Sequence, residues 1–177
     1  MKAMRYASLS GGKRIRPFLV AASSKMFDVD QTSVSRVSAA IEFVHCYSLV
    51  HDDLPSMDND DLRRGMPTCH IAFDEATAIL AGDALLTKAF EILSDPSTHL
   101  DAEIRADLCF SLAQAAGSLG MVGGQMFDLI AEGSDLLIND ISKLQKMKTG
   151  KLIVASCIAG AILGKSSVEE RNILHSY

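Results

Sequence analysis

Residues 34–61 read VSRVSAAIEFVHCYSLVHDDLPSMDNDD, and the first half of that stretch decides the fold class. Val34, Val37, Ile41, Val44 and Ser48 fall on one helical face, while Ala40, Phe43, Tyr47 and Val50 lie on its neighbour. Further helical stretches cover residues 17–27, 71–93, 101–130 and 140–163, with Gly and Pro clustered between them and no strict period-two alternation anywhere. An all-α, antiparallel helical bundle is the natural expectation, with sites built from side chains facing inward. No repeat or low-complexity linker divides the 177 residues, which suffice for one domain with a real core and are too few for two comfortable ones.

Composition narrows the class of function. Hydrophobic residues make up 48%, which argues against disorder. A net charge of -5 makes duplex nucleic acid an unsuitable partner for the surface as a whole. Cys46, Cys69, Cys109 and Cys157 have no CxxC spacing and fit reduced thiols in a cytoplasmic protein. The longest apolar run, 153–164, carries a serine and spans about 18 Å as a helix, against the roughly 30 Å of a bilayer core. No membrane span is expected.

The second half of the opening stretch is acidic, with five aspartates in 52–61. A solvated loop would be the bland explanation, but an apolar helix runs directly into Asp52, and Leu54, Pro55 and Met57 interrupt the acids. A calcium loop counted from Asp58 would need glycine where Arg63 stands. Magnesium favours a few carboxylates completed by phosphate oxygens, and Pro55 should break the helix so that Asp58 can fold back toward Asp52. Arg63 and Arg64 follow at once; they either neutralise the acids or grip a diphosphate with their forked donors.

The run from His51 to Gly65, HDDLPSMDNDDLRRG, resembles the first aspartate-rich motif of the trans-type polyprenyl diphosphate synthases, in the form with four residues between the aspartate pair and the third aspartate. Gly11-Gly12-Lys13-Arg14-Ile15-Arg16-Pro17, Gly123-Gly124-Gln125-Met126-Phe127-Asp128 and Lys148-Thr149-Gly150 agree with further motifs of that family, in its order. The resemblance implies an isoprenoid-synthase helical bundle that condenses an allylic diphosphate with isopentenyl diphosphate. It implies magnesium on Asp52 and Asp58 with Asp53 close by, and Arg63 and Lys148 on the allylic diphosphate. Thr149 would face the developing cation, and Gln125 would line the same cavity. Lys13, Arg16, His45 and Arg64 match the isopentenyl diphosphate site; Lys13 and Arg16, three apart, could share a helix face. His45, seven residues before Asp52, would point the same way, although a lone histidine there could equally be a packed core residue.

Tyr47, five residues before Asp52, would lie roughly 7.5 Å along the helix and wall off the growing tail, with the small Ser48 leaving room beside it. By the same resemblance, an aromatic there goes with the fifteen-carbon farnesyl product, the twenty-carbon geranylgeranyl product being the alternative. A homodimer is implied too.

Other features read as departures. Lys151 stands where the family has a small or apolar residue after the KTG triplet, and no second aspartate-rich motif follows. Ser166-Ser167-Val168-Glu169 reads as a capping box opening a last helix that runs to Tyr177. The chain is therefore expected to form a single partial domain over 1–177, incomplete at both ends and inactive alone. A non-catalytic remnant or subunit, binding one substrate or a partner chain, is the competing expectation. A metal phosphohydrolase, suggested by the His51-Asp52 pair, would leave the four ordered motifs unexplained.

Overall fold

The computed structural model describes residues 1–131 and 137–176. Ten α-helices among them are α1 (Lys2–Leu9), α2 (Ile15–Lys25), α3 (Gln31–Asp52), α4 (Cys69–Ala72), α5 (Glu75–Ser94), α6 (Ala102–Ala116), α7 (Met121–Ala131), α8 (Ile138–Gln145), α9 (Lys151–Leu163) and α10 (Val168–Ser176). A π-helical turn, Lys146–Gly150, joins α8 to α9, and a short hairpin of β1 (Leu62–Arg63) and β2 (Met66–Pro67) follows α3. The all-α expectation holds.

Helix starts are written locally. Asp30 caps α3 by accepting from the Ser33 amide at 3.0 Å, and Asp74 caps α5 by accepting from the Thr77 amide at 2.7 Å. Asp101 caps α6 through the Glu103 amide at 3.0 Å. The centre is α3, both of whose apolar faces are covered: Val37, Ala40, Ile41, Val44 and Tyr47 are buried against Leu85, Ala89 and Leu93 of α5 and Leu152 and Ile162 of α9. Each such leucine contributes about 1.5–3 kcal/mol by leaving water. Helix α2 lies directly on α9 because Gly160 has no side chain; a β-carbon there would sit 2.5 Å from the Ser24 amide nitrogen.

Several expected boundaries move. The helix expected over 71–93 is α4 and α5, separated at Asp74, whose side chain is worth more as a cap than within a helix. The one expected over 101–130 divides at Gly117, extended at φ -78 ψ -161, so α7 sets off in its own direction. The stretch over 140–163 contains the π turn. The hairpin was not anticipated; its two-residue loop, Arg64-Gly65, has φ of 54 and 77, the pair of positive values a type I′ turn requires. The capping box is one residue later than expected: Ser167 Oγ accepts from the Glu170 amide at 3.2 Å, and Glu170 accepts from the Ser167 amide at 2.7 Å. Tyr177, where the last helix was expected to run, lies outside the described residues.

Candidate active site

The site is built where α3 ends. Pro55 disfavours a helical residue before it, and the helix stops at Asp52 with Asp53 as its cap. The chain then doubles back: the Asp58 amide donates to the Asp52 carbonyl at 2.9 Å and the Asp60 amide to the Asp53 carbonyl at 3.2 Å. Asp58 is thus returned beside Asp52 across the six-residue separation, as Pro55 predicted.

The two arginines of the hairpin go separate ways. Arg63 grips Asp53, with Nε donating to the two carboxylate oxygens at 2.7 and 3.0 Å and Nη2 in ion-pair contact with Oδ1 at 2.5 Å. Asp53 is only 3% exposed, and the hydrogen bonds that Arg63 donates to it raise the Arg63 pKa. Arg64 instead donates from Nη1 to the Gly11 carbonyl at 2.6 Å. Its guanidinium lies where a side chain at Gly12 would be, 2.9 Å from Cζ to an added β-carbon, and the Gly12 φ of 117 is itself one that side chains rarely adopt.

Asp52 sits differently from Asp53. Its Oδ1 is buried with no hydrogen-bond partner, and its Oδ2 lies 3.9 Å from Lys148 Nζ. Burial raises the Asp52 pKa, with the neighbouring Lys148 opposing. Lys148 lies in the π turn and donates to Asp128 Oδ2 on α7 at 2.6 Å. Burial works against its charge, but Asp128 and Asp52 outweigh that and leave its pKa raised. Backbones touch here, because a β-carbon on Gly124 of α7 would fall 2.6 Å from Lys148 Cα.

Two cavities flank these groups. One, about 520 Å³, carries Asp52, Lys148, Thr149 and Gln125 among its polar lining and Tyr47, Ser48, Met121, Val122, Met126 and Leu129 along its walls. Gln125 Nε2 is a buried donor without a partner. The second, about 490 Å³, gathers Lys13, Arg14, Arg16, His45 and Arg64 around Glu42. Glu42 is 8% exposed and paired with Arg14. Arg16 Nε is buried and unpartnered. Burial and the surrounding Arg16, Arg64, Arg63 and Arg14 push the His45 pKa down to about 3, so the ring is neutral. Arg16 and His45 line both cavities, which therefore share a wall.

Of the expected residues, Asp52, Lys148, Thr149, Gln125, Tyr47 and Ser48 lie around the first cavity and Lys13 and Arg64 around the second, with Arg16 and His45 between; Asp53, Asp58 and Arg63, at and after the end of α3, line neither. One detail is corrected. Lys13 and Arg16 share no helix face, because α2 begins at Ile15 and Arg14, at φ 51, turns the chain before it; they meet across a loop. Sequence reasoning missed the Arg14–Glu42 pair and the role of Asp128, although Asp128 stood inside a quoted motif.

Magnesium can be weighed against this donor set. Among the described residues, no three His, Cys, Asp or Glu side chains converge closely enough to hold a metal by themselves. An unpartnered, buried carboxylate oxygen on Asp52 with Asp58 folded beside it nevertheless fits a hard cation whose remaining ligands are diphosphate oxygens and water. No helix of the described residues is long and apolar enough to cross a membrane.

The family model described as polyprenyl synthetase matches residues 1–177. The farnesyl diphosphate synthase of Escherichia coli strain K12 is 50% identical over 163 residues, covering 92% of this chain and 54% of that relative. The farnesyl diphosphate synthase of Haemophilus influenzae is 48% identical, covering 97% of this chain and 58% of that one. An FPP/GFPP synthase from Zymomonas mobilis superposes with a TM-score of 0.96 at 52% identity, covering 99% of this chain and 64% of that structure. The chain spans a little over half the length of these curated relatives.

Proposed function

Because this chain belongs to the polyprenyl synthetase family, we propose that it carries the allylic and isopentenyl subsites of a magnesium-dependent prenyltransferase making farnesyl diphosphate. The observation that carries this is the unpartnered Asp52 oxygen beside Lys148 in a cavity with apolar walls, next to a separate cavity lined by four cations. Asp52 and Asp58 would hold magnesium, while Asp53 fixes Arg63 at the same rim. Bound magnesium would neutralise charge on the departing diphosphate.

Lys148 is aimed by Asp128 at the diphosphate oxygens, where a fixed positive charge lowers the barrier to breaking the allylic C–O bond. Thr149 and the amide of Gln125 face the carbon end, and the apolar walls keep water from the cation formed there. The second diphosphate needs no metal in this scheme. Lys13, Arg16 and Arg64 hold it by charge and hydrogen bonds, and neutral His45 adds a donor without further like-charge repulsion. The isopentenyl double bond then forms the new C–C bond, and the proton it sheds goes to the released diphosphate. Tyr47 and Ser48 bound the tail, which favours the fifteen-carbon product. A homodimer in the cytoplasm belongs to the same proposal; the four free cysteines suit a reducing compartment.

Titration calorimetry on this chain tests the two-subsite assignment. A geranyl diphosphate analogue should bind only with magnesium, and isopentenyl diphosphate should bind without it. Asp52→Asn should remove the first and Lys13→Ala should weaken the second. Parallel loss of both ligands in each variant would overturn it.

A further inference from the structure

His51 opens the acidic motif and has no part in the chemistry above, yet its ring is held from three directions. Nε2 lies 3.0 Å from the Ile79 carbonyl of α5, and since a carbonyl only accepts, the ring donates there. Tyr47, one turn earlier on α3, meets the ring edge-to-face, with centroids 5.7 Å apart and planes at 85°. Gly82 of α5 leaves the space: a β-carbon there would lie 2.5 Å from His51 Cδ2 and closer still to Nε2. His51, Ile79 and Tyr47 all line the 520 Å³ cavity.

We infer that His51 is a positioning residue for chain length, pinning the Tyr47 ring so that it closes the tail cavity. The inference rests on the proposed allylic site. Tyr47 is packed in the core on one side, and where its ring borders the cavity the His51 ring is the aromatic group it meets. One edge-to-face partner anchored on a second helix supplies the brace, and the hydrogen bond to Ile79 fixes where that partner stands. A residue that only tied α3 to α5 would stabilise the fold without altering which tail lengths fit.

Binding of ten-, fifteen- and twenty-carbon prenyl diphosphates to the magnesium-saturated chain, with inorganic diphosphate as the tail-less control, separates these roles. In His51→Ala the affinity ratio of twenty over fifteen carbons should rise by about 2- to 10-fold, the worth of one aromatic pair. Inorganic diphosphate should bind unchanged. Gly82→Ala, which displaces the ring without removing it, should shift the ratio the same way. His51→Gln, keeping a donor for Ile79 without the ring, should give an intermediate ratio. An unchanged ratio in His51→Ala and Gly82→Ala overturns the proposal, whether or not Tyr47→Ala shifts it. So does an equal loss for every ligand including inorganic diphosphate, or failure of all three variants to fold, since His51 would then be a strut. Absence of any magnesium-dependent diphosphate binding by the unsubstituted chain would instead strike at the proposed function itself.

Discussion

Two carboxylates adjacent in sequence meet opposite fates. Asp53 faces inward and is neutralised by Arg63, whereas Asp52 keeps one buried oxygen without a partner and shares Lys148 with Asp128. Lys148 lies 2.6 Å from Asp128 and 3.9 Å from Asp52, so Asp128 draws the ammonium away from the carboxylate that would hold metal. Asp128→Asn should let Lys148 turn to Asp52 and compete with the cation, lowering magnesium-dependent diphosphate affinity by about 10-fold, as calorimetry would read. His45 makes a second prediction. Its folded pKa of about 3 lies below the ordinary 6.5, so between those values the unfolded chain binds the extra proton and stability rises with pH. The contribution is complete above pH 6.5 and is lost as pH falls toward 3, at up to about 1.4 kcal/mol per pH unit inside that window. Urea melts at pH 7 and 5 should show this loss for the unsubstituted chain and a smaller one for His45→Gln.

Elements, not isolated residues, set the distances that matter. The π turn is the clearest case: it interrupts what would be one helix from α8 to α9 and carries Lys148 and Thr149. Its close contact with α7 depends on Gly124, where a β-carbon would fall 2.6 Å from Lys148 Cα and 2.8 Å from the Met147 carbonyl carbon. Backbone cannot swing aside as a side chain can. Gly124→Ala should therefore cost about 1–3 kcal/mol in stability and also weaken magnesium-dependent diphosphate binding by displacing Lys148. Thermal melts and calorimetry on the same variant check the pair of effects; loss of stability alone would show that Lys148 holds its place independently of α7. The hairpin acts similarly. Its turn sends Arg63 back to Asp53 and Arg64 across to Gly11, where Arg64 lines the second cavity.

At the scale of the whole molecule, α3 is the axis on which the site depends. Its apolar faces are buried by α5 on one side and by α2 and α9 on others, so the end bearing Asp52 is held from several directions. Another close crossing, α2 on α9 at Gly160, falls near the C-terminal end of α2, at Ser23 and Ser24. Gly160→Ala would drive a β-carbon to 2.5 Å from the Ser24 amide nitrogen and should cost about 1–3 kcal/mol, read as a lower melting temperature. Magnesium-dependent binding per folded molecule should stay as it was. A parallel fall in that binding would mean that α2 also sets the Asp52 geometry.

The helical class, the family and the residues that gather at the two cavities were legible in the sequence, for a physical reason. Apolar spacing is a local property that reports burial directly, and a cluster of like charges at the end of an apolar helix, beside a proline, has few arrangements open to it. Asp58 turning back to Asp52 follows from that local chemistry alone. What only tertiary structure decided was pairing. Nothing in the spacing of Arg63 and Arg64 says that one goes to Asp53 and the other to Gly11, or that Lys148 takes Asp128, twenty residues away, before Asp52. The Arg14–Glu42 pair was decided the same way, by which partner a polar group finds once the helices have packed, whereas the break at Asp74 is a local cap on Thr77. A hydrophobic pattern records whether a residue leaves water, whereas a charge's partner depends on distances between elements that exist only after folding.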